Sequence, residues 1–522
     1  MPFESLKFHP GLFSQVTPLV LETGWFLGQQ YDSAVGFTPS SSLIRFPADA
    51  QGLPEVIGGW GQFTSVAGSP RGLHAWSPLP GAITAGTITP LLAIGTSSKL
   101  YAFDYTTAHD ITPAGYVAGV ASWAIDNFGQ NLVAVRRLSG TTPGTTIYAW
   151  PPTNAYLPAA AISGAPLNCN GCVVSSPAQQ LIAWGVNKDG AAAGWTGVQD
   201  PMLIAWTDYS DYTSWVPLAT NAAGSFRLTQ GSQIMTILPA QGQLLPLTDS
   251  ALYSMQFEGG NLIYGFQQLG TGCGSIGPLA AATLGGQAFW WSSNGEFFSY
   301  DGVVRPLVCP IRQFCIDTVL PNSIAATAVS ASTNSKYQEI RWDFPSNPSS
   351  TACDTYVSYN VLNGTWGYGT SISSPSVGRN AMTDFVPTLG YPIGVDDAGK
   401  VWKQETGAPF ELALGSFPLA LPWTLSSGFM DMSNGENFSF VDWLIADQIG
   451  ASTSGQVTVY GSDYPTVNPP TAYGPYAFNP AVGNVNFRMR GRQIAFRFSN
   501  NGSTLPWRLG RTRIRVASDG RR

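Results

Sequence analysis

The chain has 522 residues, of which 11% are charged and 12% aromatic, with 58 glycines and 39 prolines. Ordinary globular chains are about 25% charged, and surface helices need charged faces, so a mainly helical protein is excluded. Many short strands joined by glycine and proline turns remain. The net charge of −6 gives the body no electrostatic hold on nucleic acid, and no run reaches the roughly 18 apolar residues of a membrane-spanning helix.

Residues 1–60 read as a loop-rich amino-terminal arm with strand-like pieces at 16–21 and 43–46, ending at Ile57-Gly-Gly-Trp60. The start, Met1-Pro-Phe-Glu-Ser-Leu-Lys7, lacks a basic stretch followed by an apolar one, so synthesis in a cytoplasm is expected. Asn363, Asn437 and Asn501 open glycosylation sequons, which without secretion read as turn residues.

From residue 61 to 425 one unit recurs: an apolar run, a turn, and a second apolar run. It appears as Leu91–Ile94 with Lys99–Asp104, Leu132–Val135 with Ile147–Trp150, and Leu181–Trp184 with Met202–Trp206. Leu244–Leu245 with Leu252–Met255 follows, then Glu339–Trp342 with Thr355–Tyr359, and Ile393–Val395 with Lys400–Trp402. The clearest copy runs Gln287-Ala-Phe-Trp-Trp291, Asn294-Gly295, Phe297-Phe-Ser-Tyr300. Asn-Gly between strand formers signals a hairpin whose turn positions both tolerate positive φ. Three consecutive aromatics make this strand apolar on both faces, as a strand sandwiched between sheets requires. A spacing of about 40–60 residues is that of a four-stranded propeller blade. The fold class is therefore all-β, a β-propeller of about seven blades. Pro310–Val319 is expected as a connecting helix.

From Ser427 the segments lengthen, and residues 426–522 read as an additional antiparallel β platform or sandwich. Arg488, Arg490 and Arg492 alternate with Met489 and Gly491, as Arg511, Arg513 and Arg515 do with Thr512 and Ile514. A period of two places each triplet on one strand face. Residues 487–522 hold ten arginines and one acid, Asp519, a local charge of +9 that leaves −15 on the rest. The two stripes are the expected interface, pairing with carboxylates of an adjacent subunit or adaptor, with DNA phosphate the weaker option and internal pairing with the chain's own acidic loops the alternative.

Motifs for chemistry are incomplete. Gly272-Cys-Gly-Ser-Ile-Gly277 matches a dinucleotide fingerprint, but Pro278 follows and no acid appears before Glu296, so it reads as a glycine turn. Cys169-Asn-Gly-Cys172 has no second CxxC among Cys273, Cys309, Cys315 and Cys353, so buried thiols are expected rather than zinc. His9, His74 and His109 stand in turn-rich settings with no nucleophile motif. Asp397-Ala-Gly-Lys-Val-Trp402 matches part of the Asp-box of sialidase-like propellers, with Val395 where that motif has Ser. No catalytic residue, metal or cofactor is expected and the chain is not expected to be an enzyme; the alternative is a carbohydrate-binding or sugar-cleaving propeller acting on host surface glycans.

The runs Ile204-Ala-Trp-Thr-Asp208, Leu228-Thr-Gln-Gly231 and Leu247-Thr-Asp249 with Leu252-Tyr253 carry a resemblance, together with Ile57–Trp60, Arg490-Gly-Arg-Gln493 and Trp507-Arg-Leu-Gly510. Over most of residues 57–522 the chain resembles the tail nozzle, or tail tubular, proteins of short-tailed bacteriophages. The resemblance implies a structural virion protein, a six-fold homo-oligomeric ring assembled in the bacterial cytoplasm. It implies contacts with the head–tail adaptor and with other tail proteins or fibres. DNA would pass through the lumen without sequence-specific binding, and no membrane is involved.

Overall fold

In the computed structural model, residues 3–520 are described apart from connecting segments, the longer of which are 15–19, 84–88, 139–144, 189–194, 371–375, 385–389, 407–420, 451–454, 465–469 and 501–505. The expected strand at 16–21 and the sequon at Asn501 fall largely on these and lie outside the described residues. Seven four-stranded antiparallel blades are present among the described residues. The seven repeats read from the sequence form their second and third strands, for example Leu91–Thr96 with Leu100–Phe103 and Gln287–Trp291 with Phe297–Tyr300. The innermost strands pack in order around an axis: Pro70–Trp76, Ala121–Phe128, Gly171–Ser175, Ile234–Ala240, Ala281–Leu284, Ser330–Asn334 and Ala381–Met382. The last of these returns to the first. The protein is an all-β propeller with a closed ring.

The aromatic hairpin shows why the blades stand face to face. Phe289 and Trp291 point into the core shared with blade 6, and Trp290 into the core shared with blade 4. All three are at most 1% exposed, so a strand without a polar face is the correct solution for this position. The turn differs from the sequence expectation. Trp291 pairs with Phe297, Gly295 N donates to Ser292 O, and of the Asn-Gly pair only Gly295 has positive φ, at 81°. This is a longer loop closed by a left-handed glycine rather than a two-residue turn.

The ring closes with sequence-distant strands. Gly59–Ser65 is the outer strand of blade 7 and pairs antiparallel with Lys400–Thr406. Several strands of the amino-terminal segment, expected as a loop-rich arm with first strands, pair with the platform and with blade 6. Phe3–Ser5 pairs with Arg513–Ser518, and Trp25–Phe26 with Thr424–Ser427. Ile44–Arg45 pairs with Trp366–Thr370 of blade 6, and Glu55–Val56 with Trp507–Leu509. One eight-stranded sheet therefore runs from blade 6 into the platform. The rest of the platform is a sandwich of a four-stranded and a seven-stranded sheet, with Val441, Phe487 and Val516 of the first packed with Val459, Phe496 and Phe498 of the second. The expected helix at 310–319 reduces to Arg312–Ile316, which has no side-chain cap at Ile311 and no acid in its first turn, the two features that stabilise a helix start.

Apolar clusters fill the other blade contacts, whereas buried charge collects where blades 6 and 7 meet the platform. Arg45, 5% exposed, donates from Nη1 to Glu405 Oε2 at 2.9 Å, lies 3.1 Å from Glu339 and stacks on Tyr337 at 3.8 Å. Glu405 also accepts Gly58 N at 2.9 Å and holds φ at 55°, a left-handed conformation that costs a non-glycine about 1–3 kcal/mol. A Cβ on Gly58 would lie 2.5 Å from Glu405 Cα, so only glycine fits. Arg508 pairs with Glu55 beside it, and Arg341 with Asp343 at 2.6 Å.

Burial pushes Glu339 up to about 7, with Arg45 opposing and Glu405 and Glu55 adding to the rise. Burial also raises Glu405, but the Arg45 charge, its hydrogen bonds and Gly58 N outweigh it, so the net shift is downward. A carboxyl raised on folding contributes stability that is full below its unfolded value and lost as pH rises through the folded one. Denaturant unfolding at pH 8 should therefore show Glu339→Gln more stable than wild type by about 2 kcal/mol, with the gain vanishing at pH 5. Glu405→Gln should destabilise at pH 8 by about 3–5 kcal/mol, since it strips Arg45 of its principal partner.

Candidate functional site

The carboxy-terminal arginines lie on the outer face of the four-stranded platform sheet, whose strand order is Phe3–Ser5, Arg513–Ser518, Ser439–Ile445, Val485–Gly491. The last strand alternates buried and exposed along its whole length, with Val485, Phe487 and Met489 inward and Asn486, Arg488 and Arg490 outward. Arg513 and Arg515 face out beside buried Ile514 and Val516. Arg511 is exposed just before that strand, and Arg492 is half-buried just after its own. The sequence period therefore placed the stripes on one sheet, with Arg492 turned in at the end.

Internal pairing takes part of the charge. Arg515 donates to Asp442 from Nε at 2.8 Å and Nη2 at 2.6 Å and lies over Trp443 at 4.8 Å. Arg490 pairs with Asp519 at 2.5 Å and stacks on Phe438 at 4.0 Å. Arg492 lies 4.9 Å from the same ring and 5.3 Å from Tyr464. The Arg515 hydrogen bonds, with the Arg488 charge further off, hold Asp442 below the usual carboxylate range. Asp442 occupies a register shift opposite both arginine strands, an acid that no sequence period announces.

A second concave feature is the axial channel, with cavities of about 370 and 620 Å³. Its wall mixes apolar side chains such as Leu73, Met235, Leu238 and Met382 with polar ones such as Ser122, Asn170, Thr333 and Thr383. Its imidazole and carboxylates are those of His74, Asp126 and Asp384. His74 Nε2 is 2.8 Å from Asn127 Oδ1 and 3.9 Å from Asp126 Oδ1, while Asp126 Oδ2 accepts Val174 N at 2.8 Å. Asp384 accepts Ser335 N at 2.7 Å. This pairing of a histidine with a channel carboxylate was not visible from the sequence, where 52 positions separate the two.

The remaining motifs resolve into structure. In the partial Asp-box, Asp396 rather than Asp397 holds the tryptophan: it accepts Trp402 Nε1 at 2.8 Å and Lys400 N at 2.9 Å. Asp397 accepts from Ser69 and Asn380, tying blade 7 to blade 1. Cys169 and Cys172 are buried free thiols in the core between blades 2 and 3, and burial pushes both well up. Of the fingerprint glycines, Gly272 has φ of 69°, and a Cβ on Gly274 would strike the Asp249 backbone. They form a turn against blade 4. His109 stacks on Tyr156 at 3.5 Å and contacts Asp104 at 3.1 Å.

No protein-family profile and no curated protein matches the chain. Among solved structures it is similar to the crystal structure of an exo-beta-1,3-galactanase from Phanerochaete chrysosporium with beta-1,3-galactotriose. The match has 11% identity and a TM-score of 0.28, and it covers 77% of this chain and 98% of that one. The expectation that the chain is not an enzyme is corrected here, because the protein it matches is a galactanase. At that score the likeness carries no argument about a reaction of this chain.

Asp396→Ala should lower stability by about 1–3 kcal/mol by leaving a buried indole N–H unpaired, read from urea unfolding followed by tryptophan fluorescence. A thiol reagent should leave Cys169 and Cys172 unlabelled in the native protein and label both once it is denatured, because buried thiols without a thiolate are inert.

Proposed function

We propose that this chain is a structural subunit of the tail conduit of a short-tailed bacteriophage. The observation that carries the reading is the eight-stranded sheet passing from blade 6 into the platform. Main-chain hydrogen bonds and the buried Arg45 cluster make propeller and platform one stiff body, as a load-bearing tube requires. The segments that carry the phage resemblance fall on this frame. Ile57–Trp60 enters the ring-closing strand, Trp507–Leu509 forms the platform end of the junction, and Arg490–Gln493 joins the two platform sheets. In this reading the subunit forms a six-fold ring below the head–tail adaptor. The acidic remainder lets DNA pass without gripping its phosphates.

A second reading, a carbohydrate-directed propeller, draws on the axial channel, where His74 and Asp126 meet and Asp384 lies in the adjoining cavity. Two experiments separate the readings. Particles purified from the source of this sequence should contain the chain at a fixed small copy number by mass spectrometry, and negative-stain images of the purified protein should show rings. Its absence from particles overturns the conduit reading. Retention on host-surface polysaccharide that is lost on Asp126→Asn supports the carbohydrate reading, and no retention removes it.

A further inference from the structure

We infer that the outer arginine face of the platform binds the acidic propeller of a second copy of this chain. The inference deepens the conduit reading by naming the partner of that face, although its test does not depend on the chain being a tail protein.

Three guanidiniums carry it. Arg488, Arg511 and Arg513 are exposed, and none forms an ion pair among the described residues. They surround groups that are already ordered. Arg515 lies over Trp443 and is fixed by Asp442 at two points, while Arg490 lies over Phe438 and is fixed by Asp519. An aromatic floor and a fixed fork reduce the side-chain entropy lost when a further carboxylate is captured. Arg488 and Arg515 come from the two strands that flank Asp442 on either side, so positive, negative and positive groups follow one another across the sheet. Exposed Arg513 stands two residues from Arg515 on the same face.

This pattern discriminates between occupants. A nucleic acid presents one phosphate charge after another, and Asp442 and Asp519 would sit against them. A protein surface of mixed charge with an acidic excess meets both signs. The chain supplies such a surface itself, because residues 61–425 hold 20 acidic and 13 basic side chains, a net −7, against +9 within 487–522. A contact from the platform of one copy to the propeller of the next joins two different surfaces of the same chain. It is heterologous, so repeated copies form a ring where the rotation between them closes and an open filament where it does not. The Val485–Gly491 strand at the sheet edge leaves that side of the face open to a neighbour.

Sedimentation of the full chain at low and high salt tests the inference. Wild type should associate at about 50 mM salt and dissociate at about 500 mM, as contacts between exposed charges do. Arg488→Gln/Arg511→Gln/Arg513→Gln should weaken association at least tenfold while melting at the wild-type temperature. Arg513→Lys should restore association and, with a carbodiimide, form an amide between the lysine Nζ and a carboxylate of another copy, with loss of water. Peptide mapping should place that carboxylate within residues 61–425. Wild type that stays monomeric at low salt, a triple variant that associates normally, or cross-links confined to one copy would each overturn it. Salt-sensitive retention of duplex DNA lost in the triple variant, without self-association, assigns the face to nucleic acid and also overturns it. If the chain is absent from particles but these results hold, the conduit reading falls and this one stands.

Discussion

Arg45 is the point on which the two halves of the molecule depend. It stands on a strand of two residues, Ile44–Arg45, whose recorded pairing with blade 6 is the single position Tyr368 with Ile44. So little backbone pairing could not hold a platform by itself. A continuous apolar core shared by blade 6 and the platform supplies much of the rest, and the guanidinium adds to it by taking Glu405 from the end of blade 7 and Glu339 from the start of a blade 6 strand. One side chain thus ties three elements together, and its burial makes its pairing obligatory: removing Arg45 or Glu405 leaves a charge uncompensated in low dielectric, whereas Glu339 is the surplus acid of the cluster. The strained Glu405 backbone and the obligatory Gly58 are consequences of the same demand, since the carboxylate must reach both Arg45 and a main-chain N–H.

How much of this was legible follows from where each strand finds its partners. The second and third strands of every blade are buried on both faces, so their apolar runs and aromatics mark them directly, and joined by local turns they announced the blade repeat. The inner and outer strands carried weaker signals. Ala381–Met382 and Ala160–Ala161 are two residues long, and Gly224–Arg227 is almost wholly exposed, so no periodicity distinguishes them from turns. The amino-terminal strands were unreadable for a different reason. Phe3–Ser5 is a strand because Arg513–Ser518, from the opposite end of the chain, lies beside it, and Glu55–Val56 has Trp507–Leu509 on one side.

The candidate interface shows the same division. Alternation placed Arg488 and Arg490 outward beside buried Phe487 and Met489, because period two is a local property of a strand. Which arginines are already occupied is not local. Asp442 reaches Arg515 through a register shift on the neighbouring strand, and Asp519 reaches Arg490 from near the carboxy terminus. Likewise the His74 and Asp126 pairing in the channel arises because adjacent inner strands bring two blades together, which composition and spacing do not encode.

The ring-closing strand has a consequence for how the protein is made. Gly59–Ser65 emerges early from the ribosome, yet its partner Lys400–Thr406 is among the last propeller strands to be translated. Until residues 381–406 have been made, blade 7 consists of Gly59–Ser65 alone and blade 1 has no neighbour on one side, so the nascent chain carries an open edge and uncovered aromatic surface through most of its synthesis. Long-range pairing of this kind folds slowly and leaves intermediates open to aggregation. A deletion that removes Gly59–Ser65 would cost the cell not one strand but the moment at which the whole circle becomes a single cooperative unit.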